Sequence, residues 1–425
     1  MKKLLILFLC AVFALGGCAA GRTAQLPEES AQTNPVHIVI ASDLHYLAPS
    51  LNDKGPLISA LSAQSDGKLM LYVEEIAEAF VAQMLAEKPD VVILSGDLSY
   101  NGEYDSHKAL AEKLARLQDD GIQVLVISGN HDTNNPYSFQ FHGESYERVK
   151  NTSSEEFRAI YRPFGPAQAI RTDAYTGSYL YAVRSDLWIL MLDTNSLLLN
   201  TFPEKSLSWL EECLQQAAEA GAAVISVSHQ NLLLHNELFS TGYRLTNAVT
   251  LRTLLERYGV LCHLSGHMHI QHAIEGPVPE VLTSSLSMPP VRYGSLRYDG
   301  QSLCYDAMQV DVEAWARQTG QTDENLLRFS DYADEYFILA ARNKILAELA
   351  DSELDEDSVL ALADIFGRVN LAYFGGFTQD AEALIRDVER WEGLSESFHS
   401  AYLQSILQDK GSDPLHLVLW ERLET

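Results

Sequence analysis

Residues 37–45 read His37-Ile38-Val39-Ile40-Ala41-Ser42-Asp43-Leu44-His45. The aliphatic run predicts a buried strand, and the Asp-x-His falls where strand gives way to loop. The same pattern recurs along the chain. Val91-Val92-Ile93-Leu94 leads into Gly96-Asp97, and Val124-Leu125-Val126-Ile127 leads into Gly129-Asn130-His131-Asp132. A strand over 223–227 precedes His229, and one over 260–264 precedes Gly266-His267-Met268-His269. Further strands are expected at 178–183 and 187–192. Residues 68–88, 105–117, 205–220 and 247–258 carry helical periodicity, the first stopping at Pro89. Aliphatic runs alternating with amphipathic helices predict an α/β fold, a sheet covered by helices, which places ligands at its strand ends.

Beyond about residue 311 the pattern changes. Residues 330–349, 358–371, 380–391 and 395–408 read as helices, separated by an acidic segment and Gly375-Gly376, and predict a C-terminal α-helical bundle. The 134–176 stretch is irregular and rich in Tyr, Phe and Pro. Its aromatics, such as Tyr137, Phe139 and Tyr146, either stack a substrate's base or pack the insertion itself.

The chain has 425 residues and a formal net charge of -28. That charge speaks against binding a nucleic-acid duplex through a basic face, since phosphate-backbone affinity comes from clustered Lys and Arg. It leaves a small phosphorylated substrate open, because bound metal ions would be the largest local charges. Met1-Lys2-Lys3, an apolar run from Leu4 to Leu15 and Leu15-Gly16-Gly17-Cys18 resemble a bacterial lipoprotein signal. The resemblance implies a signal peptide over 1–17, a lipidated Cys18 contacting the membrane, and an extracytoplasmic chain anchored to the bacterial cell membrane. Residues 18–35 read as a flexible tether. Cys213, Cys262 and Cys304 are odd in number and scattered, which is not a disulfide framework. Cys213 and Cys262 are expected as small buried hydrophobes.

Each of the five motifs is weak alone. A Gly-Asp after a strand is commonly a turn, and a lone His is commonly satisfied by a carbonyl. Their order, each at a strand-to-loop junction, gives them weight. Mixed imidazole, carboxylate and amide donors suit Mn, Fe or Zn. Two such ions about 3.5–4 Å apart can hold the attacking and leaving oxygens of an in-line displacement, and a water between them deprotonates near neutral pH.

The ordered set, over residues 37–285, resembles the calcineurin-like metallophosphoesterases. The resemblance implies a double-β-sheet sandwich flanked by helices, over 36–311, with 312–425 as the helical domain. It implies that Asp43, His45 and His269 hold a first metal and Asn130, His229 and His267 a second. Asp97 would bridge the two, with His131 as the catalytic His. Asp132 is then expected to fix the His131 tautomer by accepting from its other ring nitrogen. Gly96-Asp97-Leu98-Ser99-Tyr100 also resembles the Gly-Asp-x-x-Tyr of purple acid phosphatases, in which the Tyr is a ligand. With His45 present that ligand is redundant, and Tyr100 is expected as a wall or core residue. His142 and His235 are further candidates for the pocket lining.

Asn101-Gly102-Glu103, with Asn135-Pro136 after the Asn-His-Asp run, resembles bacterial cyclic-nucleotide phosphodiesterases of this family, some with a C-terminal helical domain. The expectation is therefore a metal-dependent hydrolase of 3′,5′- or 2′,3′-cyclic nucleotides. Alternatives are a broad phosphomonoesterase, a cell-envelope phosphodiesterase and a non-catalytic surface binding protein.

Overall fold

A computed structural model describes residues 34–195, 197–350, 354–386, 398–409 and 411–422. The expected signal peptide, Cys18, nearly all of the expected tether and parts of two expected C-terminal helices lie outside these residues. Fifteen strands are formed: β1 (Val36–Ala41), β2 (Val91–Leu94), β3 (Gln123–Val126), β4 (Phe139–His142), β5 (Ser145–Arg148), β6 (Arg171–Thr172), β7 (Tyr179–Arg184), β8 (Leu187–Leu192), β9 (Ala223–Ser228), β10 (Cys262–Ser265), β11 (His272–Ile274), β12 (Glu280–Leu282), β13 (Arg292–Tyr298), β14 (Ser302–Gln309) and β15 (His416–Glu421). One sheet has the order β15-β14-β13-β1-β2-β3, the other β11-β12-β10-β9-β8-β7-β6, and β4-β5 is a separate hairpin.

The two large sheets face each other, and the alternation of side chains sets the layers. Ile38, Ile40, Val91, Ile93 and Leu125 from one sheet pack with Ile189, Met191, Ile225, Val227 and Leu264 from the other. Their neighbours in sequence, Val39, Ala41, Val92, Leu94 and Val124, turn outward onto the helices Val73–Glu87 and Tyr104–Asp119. Trp188, Leu190 and Val224 turn outward onto Leu207–Ala220 and Ala248–Arg257. Both faces of each central strand are therefore dry, which is why the strands read as unbroken aliphatic runs. β1, β2 and β3 run parallel, as do β8, β9 and β10. Every motif singled out in the sequence leaves the C-terminal end of one of these strands.

The irregular 134–176 insertion has more order than its composition suggested. It holds the β4-β5 hairpin and a helix at Ser154–Ile160, started by a capping box in which Ser153 and Glu156 satisfy each other's backbone N–H groups. Phe139 packs edge-on against Tyr146, and the Arg148 guanidinium covers Phe139.

At the C-terminus the helices Phe329–Leu349, Glu356–Phe374, Thr378–Arg386 and Phe398–Leu407 form a cluster whose core includes Met268, Ile270 and Leu282 of the strand-end region. The expected 312–425 helical unit needs one correction. β15 leaves the helices and pairs antiparallel with β14, putting Leu417, Leu419 and Trp420 beside the inter-sheet core. Buried polar bonds tie the two parts further. His272 Nε2 reaches Asp409 at 2.8 Å, and Gln271 donates to Tyr305 and to the Pro414 carbonyl. Cys213 and Cys262 are free and buried, and burial pushes the Cys213 thiol up to about 12.

Candidate metal centre

The strand ends of the two sheets bring all seven expected ligands together. Asp43, His45, Asp97 and His269 each offer one donor atom, and these atoms lie within 4.8 Å of one another. Asp97, His229 and His267 do the same, so Asp97 belongs to both groups. On the first side His45 Nε2 faces His269 Nε2 at 3.2 Å, and His269 Nε2 is 3.2 Å from Asp43 Oδ1. On the second, His229 Nε2 is 3.4 Å from Asp97 Oδ2 and 3.1 Å from Asn130 Oδ1.

Ring orientation is set from outside each cluster. A carbonyl can only accept, so His229 donates Nδ1–H to the Ser95 carbonyl at 3.0 Å and turns Nε2 inward. His267 likewise donates Nε2–H to the Gly242 carbonyl at 3.0 Å and presents Nδ1. Asp43 Oδ2 accepts the His267 backbone N–H, which leaves the buried Oδ1 facing only the His269 ring nitrogen, 3.2 Å away and out of hydrogen-bond alignment. A buried carboxylate oxygen that meets only a ring nitrogen, two ring nitrogens face to face and a mixed N/O donor set fit a pair of divalent transition-metal ions.

The backbone is strained to achieve this. Asp43, His45, Asp97, His267 and His269 all have left-handed φ, between 48° and 68°, half of the ten non-glycine residues that do so among the described residues. Such conformations cost energy and persist where the surroundings enforce them. Two motif glycines permit the close approach of the loops. A Cβ on Gly129 would lie 2.2 Å from Asp97 Oδ1, and one on Gly266 would lie 1.9 Å from Ser42 Oγ.

The charges respond to the enclosure. Burial opposes a charge on His229, but the Asp97 carboxylate overrides it and lifts the imidazole to about 9. Burial and the neighbouring His229 hold His267 down at about 4. Burial would raise Asp97, but the imidazoles of His229 and His131 keep it well below the usual carboxylate range. Burial, with the charges of Lys68 and His131, depresses His45. Lys68, paired with Asp66 at 3.0 Å, is thus a cation close to the site that carried no recognisable motif.

His131 differs from the ligands. Its side chain is 34% exposed, and its Nε2 stands 4.0 Å from Asp97 Oδ2. Its Nδ1 faces the Tyr100 carbonyl at 2.9 Å and Asn101 Oδ1 at 3.0 Å, so Nδ1 is the donor and Nε2 is turned to the metal side. The expected Asp132 partner is therefore replaced by Tyr100 and Asn101. The Asp132 carboxylate is fully buried and accepts from the N–H groups of Leu98, Ser99 and Gly129 and from Ser99 Oγ. The acceptor-hungry N–H groups of two tight loops capture it before the His131 ring can. It is a brace between the Asp97 and Asn130 loops. Glu103, which accepts the Asn101 N–H at 2.9 Å, is a second buried brace that sequence reading passed over as part of a resemblance.

Other expected residues fall elsewhere. Tyr100 packs against Phe141 at the edge of the core. His142 is exposed on β4. His235 is buried between Glu280 and His272, away from any opening. Tyr137 and Tyr146 are 65% and 60% exposed.

Residues 36–271 match the family model described as calcineurin-like phosphoesterase, and residues 311–413 match the one described as the C-terminal domain of cyclic nucleotide phosphodiesterase. Two curated relatives bear the name "Probable cyclic nucleotide phosphodiesterase". The one from Vesicomyosocius okutanii subsp. Calyptogena okutanii is 42% identical over 52 residues, 12% of this chain and 21% of that protein. The one from Ruthia magnifica subsp. Calyptogena magnifica is 48% identical over 46 residues, 11% of this chain and 18% of that protein. The matches thus span about a fifth of the length of these relatives. Among solved structures, a dimetal phosphatase from Danio rerio is 13% identical, with a TM-score of 0.49 over 65% of this chain and 96% of that one.

Two outcomes follow from the braces. Asp132→Asn turns one carboxylate oxygen into an NH2 group, which then faces either the Leu98 and Gly129 N–H groups or that of Ser99, so metal content and turnover fall together. Full metal occupancy with reduced turnover, measured by elemental analysis alongside kinetics, would instead return Asp132 to a role on His131. Burial raises Glu103 to about 7 from the ordinary 4.5. The folded state therefore keeps a proton that the unfolded chain has released, and stability declines as pH rises through this window. Relative to wild type, Glu103→Gln gains up to about 3 kcal/mol between pH 4.5 and 8 in denaturant unfolding. A difference that is flat with pH contradicts the assignment.

Proposed function

The chain belongs to the calcineurin-like phosphoesterase family, and from that premise we propose that it is a dinuclear-metal-dependent hydrolase of small phosphodiesters, with cyclic nucleotides as substrates. The observation that carries this reading is Asp97, whose carboxylate is common to two clusters of inward-turned ring nitrogens. Asp43, His45 and His269 would hold one ion and Asn130, His229 and His267 the other, with Asp97 between them. When bound, such a pair supplies Lewis-acid activation and charge neutralisation at a phosphoryl centre.

The protein's own groups do the rest. His131, with its Nδ1–H held by the Tyr100 carbonyl and Asn101, keeps Nε2 aimed at the site edge, where the doubly protonated ring would pass its Nε2 proton to a departing alkoxide oxygen and return to the neutral Nδ1–H form. Its partial exposure leaves room for a substrate to meet it. Support for the cyclic-nucleotide class is the match of residues 311–413 and the names of the two relatives. We further propose that the mature chain is held at the outer face of the cell membrane through Cys18, which rests on the signal-like N-terminus.

The test begins with chelator-stripped protein reloaded with Mn, Zn or Fe. It is assayed on 3′,5′- and 2′,3′-cyclic nucleotides and on aryl mono- and diesters, and activity is followed in membrane and soluble fractions. The expected result is metal-dependent hydrolysis that favours cyclic diesters, with His131→Ala lowering kcat by about 10²–10⁴-fold at unchanged metal content. Cys18→Ala releases the activity from the membrane fraction. Equal rates on monoesters, or activity indifferent to metal, would overturn the reading.

A further inference from the structure

One cavity touches the metal-binding loop and is built mostly by the C-terminal helices. Its volume is about 290 Å³, near the lower end of the ~300–1,000 Å³ typical of small-molecule sites. His267 and His269 form one wall. Phe239 and Tyr243 come from the loop that follows His229, and Phe366, Asn370, Phe398 and Tyr402 come from the helices Glu356–Phe374 and Phe398–Leu407.

The rings form a continuous series leading away from the metal ligands. Tyr243 lies 5.3 Å from His267, Phe239 lies 5.1 Å from Tyr243, and Tyr402 and Phe398 lie 6.0 and 6.3 Å from Phe239. The loop carrying Phe239 and Tyr243 is tied at both ends. Gly242 accepts from His267, and Asn236 donates to Tyr373 and Ser405 of the helices. Two polar atoms on the cavity residues have no partner: Asn370 Oδ1 and the Tyr402 hydroxyl. Both are shielded from solvent, and buried polar groups are rarely left so.

We propose that this cavity is the site for the base of a nucleotide whose phosphoester lies at the metal centre. The C-terminal helices would then be a substrate-recognition element. The inference rests on the proposed function of the adjoining metal centre. Aromatic walls stack on the face of a planar heterocycle, and small rotations of Asn370 and Tyr402 would bring their unpartnered oxygens onto the donors and acceptors of its edge. An acyl chain would leave both polar atoms unsatisfied. The volume suits the base and sugar of a mononucleotide. The aromatic residues of the β4-β5 hairpin do not line this cavity.

The test uses adenosine, which carries the base and ribose but no phosphoester, with the full metal-loaded chain. Calorimetry should show adenosine binding and no binding of ribose. Phe398→Ala, at an exposed position, should weaken it about tenfold. Tyr402→Phe, which keeps the packing and removes only the hydroxyl, should weaken it about fivefold. In turnover of a cyclic nucleotide the same variants should raise KM and leave kcat nearly unchanged. If adenosine binds as described but no phosphoester is turned over, the pocket stands and the proposed chemistry falls. If phosphoesters are turned over while adenosine fails to bind, or binds both variants as tightly as wild type, the pocket inference is wrong.

Discussion

The Asp97 carboxylate is the point on which the two sheets of this protein meet chemically. It leaves the end of β2 in one sheet, and its partner His229 leaves the end of β9 in the other, 3.4 Å away. Bringing a buried anion and a ring of imidazoles to one place is unfavourable unless they share charge or a metal. The fold therefore has to hold them there. It does so with parallel strands that all end at one edge, and with a dry core between the sheets that fixes how far apart those edges lie.

Local chemistry carries the strain that follows. Five of the candidate ligands have left-handed backbone, and the Gly129 and Gly266 positions allow the loops to cross at distances that a Cβ would forbid. Asp132 and Glu103 gather the loose N–H groups of these turns. The candidate ligands are thus positioned by residues outside the donor set, and His131, the exposed side chain beside them, is positioned by a backbone carbonyl and an amide.

Much of this was legible in the residue string. Strands such as Ile38–Ile40 announced themselves because both faces are buried, and the ligand motifs because chemistry demands those residue types at strand ends. What the string concealed depends on long-range contact. Nothing near Asp132 distinguishes an acceptor for His131 from an acceptor for Leu98 and Ser99; only the crossing of two loops decides it. β11 and β12 escaped notice because they are short, and β13 and β14 because polar and charged residues interrupt them where the other strands have unbroken aliphatic runs. β15 looked like the tail of a helical domain because the edge that it pairs with is about a hundred residues away. Aromatic residues of the 134–176 insertion drew attention by density, while the ring series from His267 to Tyr402 is assembled from three separate segments and has no linear signature.

The most direct measurement is the metal count of the full chain loaded with Mn, combined with its electron paramagnetic resonance spectrum. A carboxylate shared by two sites predicts two ions per chain, magnetically coupled, and loss of that coupling in Asp97→Ala. A single ion per chain, or two ions whose spectra are uncoupled and unaffected by Asp97→Ala, would contradict the shared-carboxylate centre.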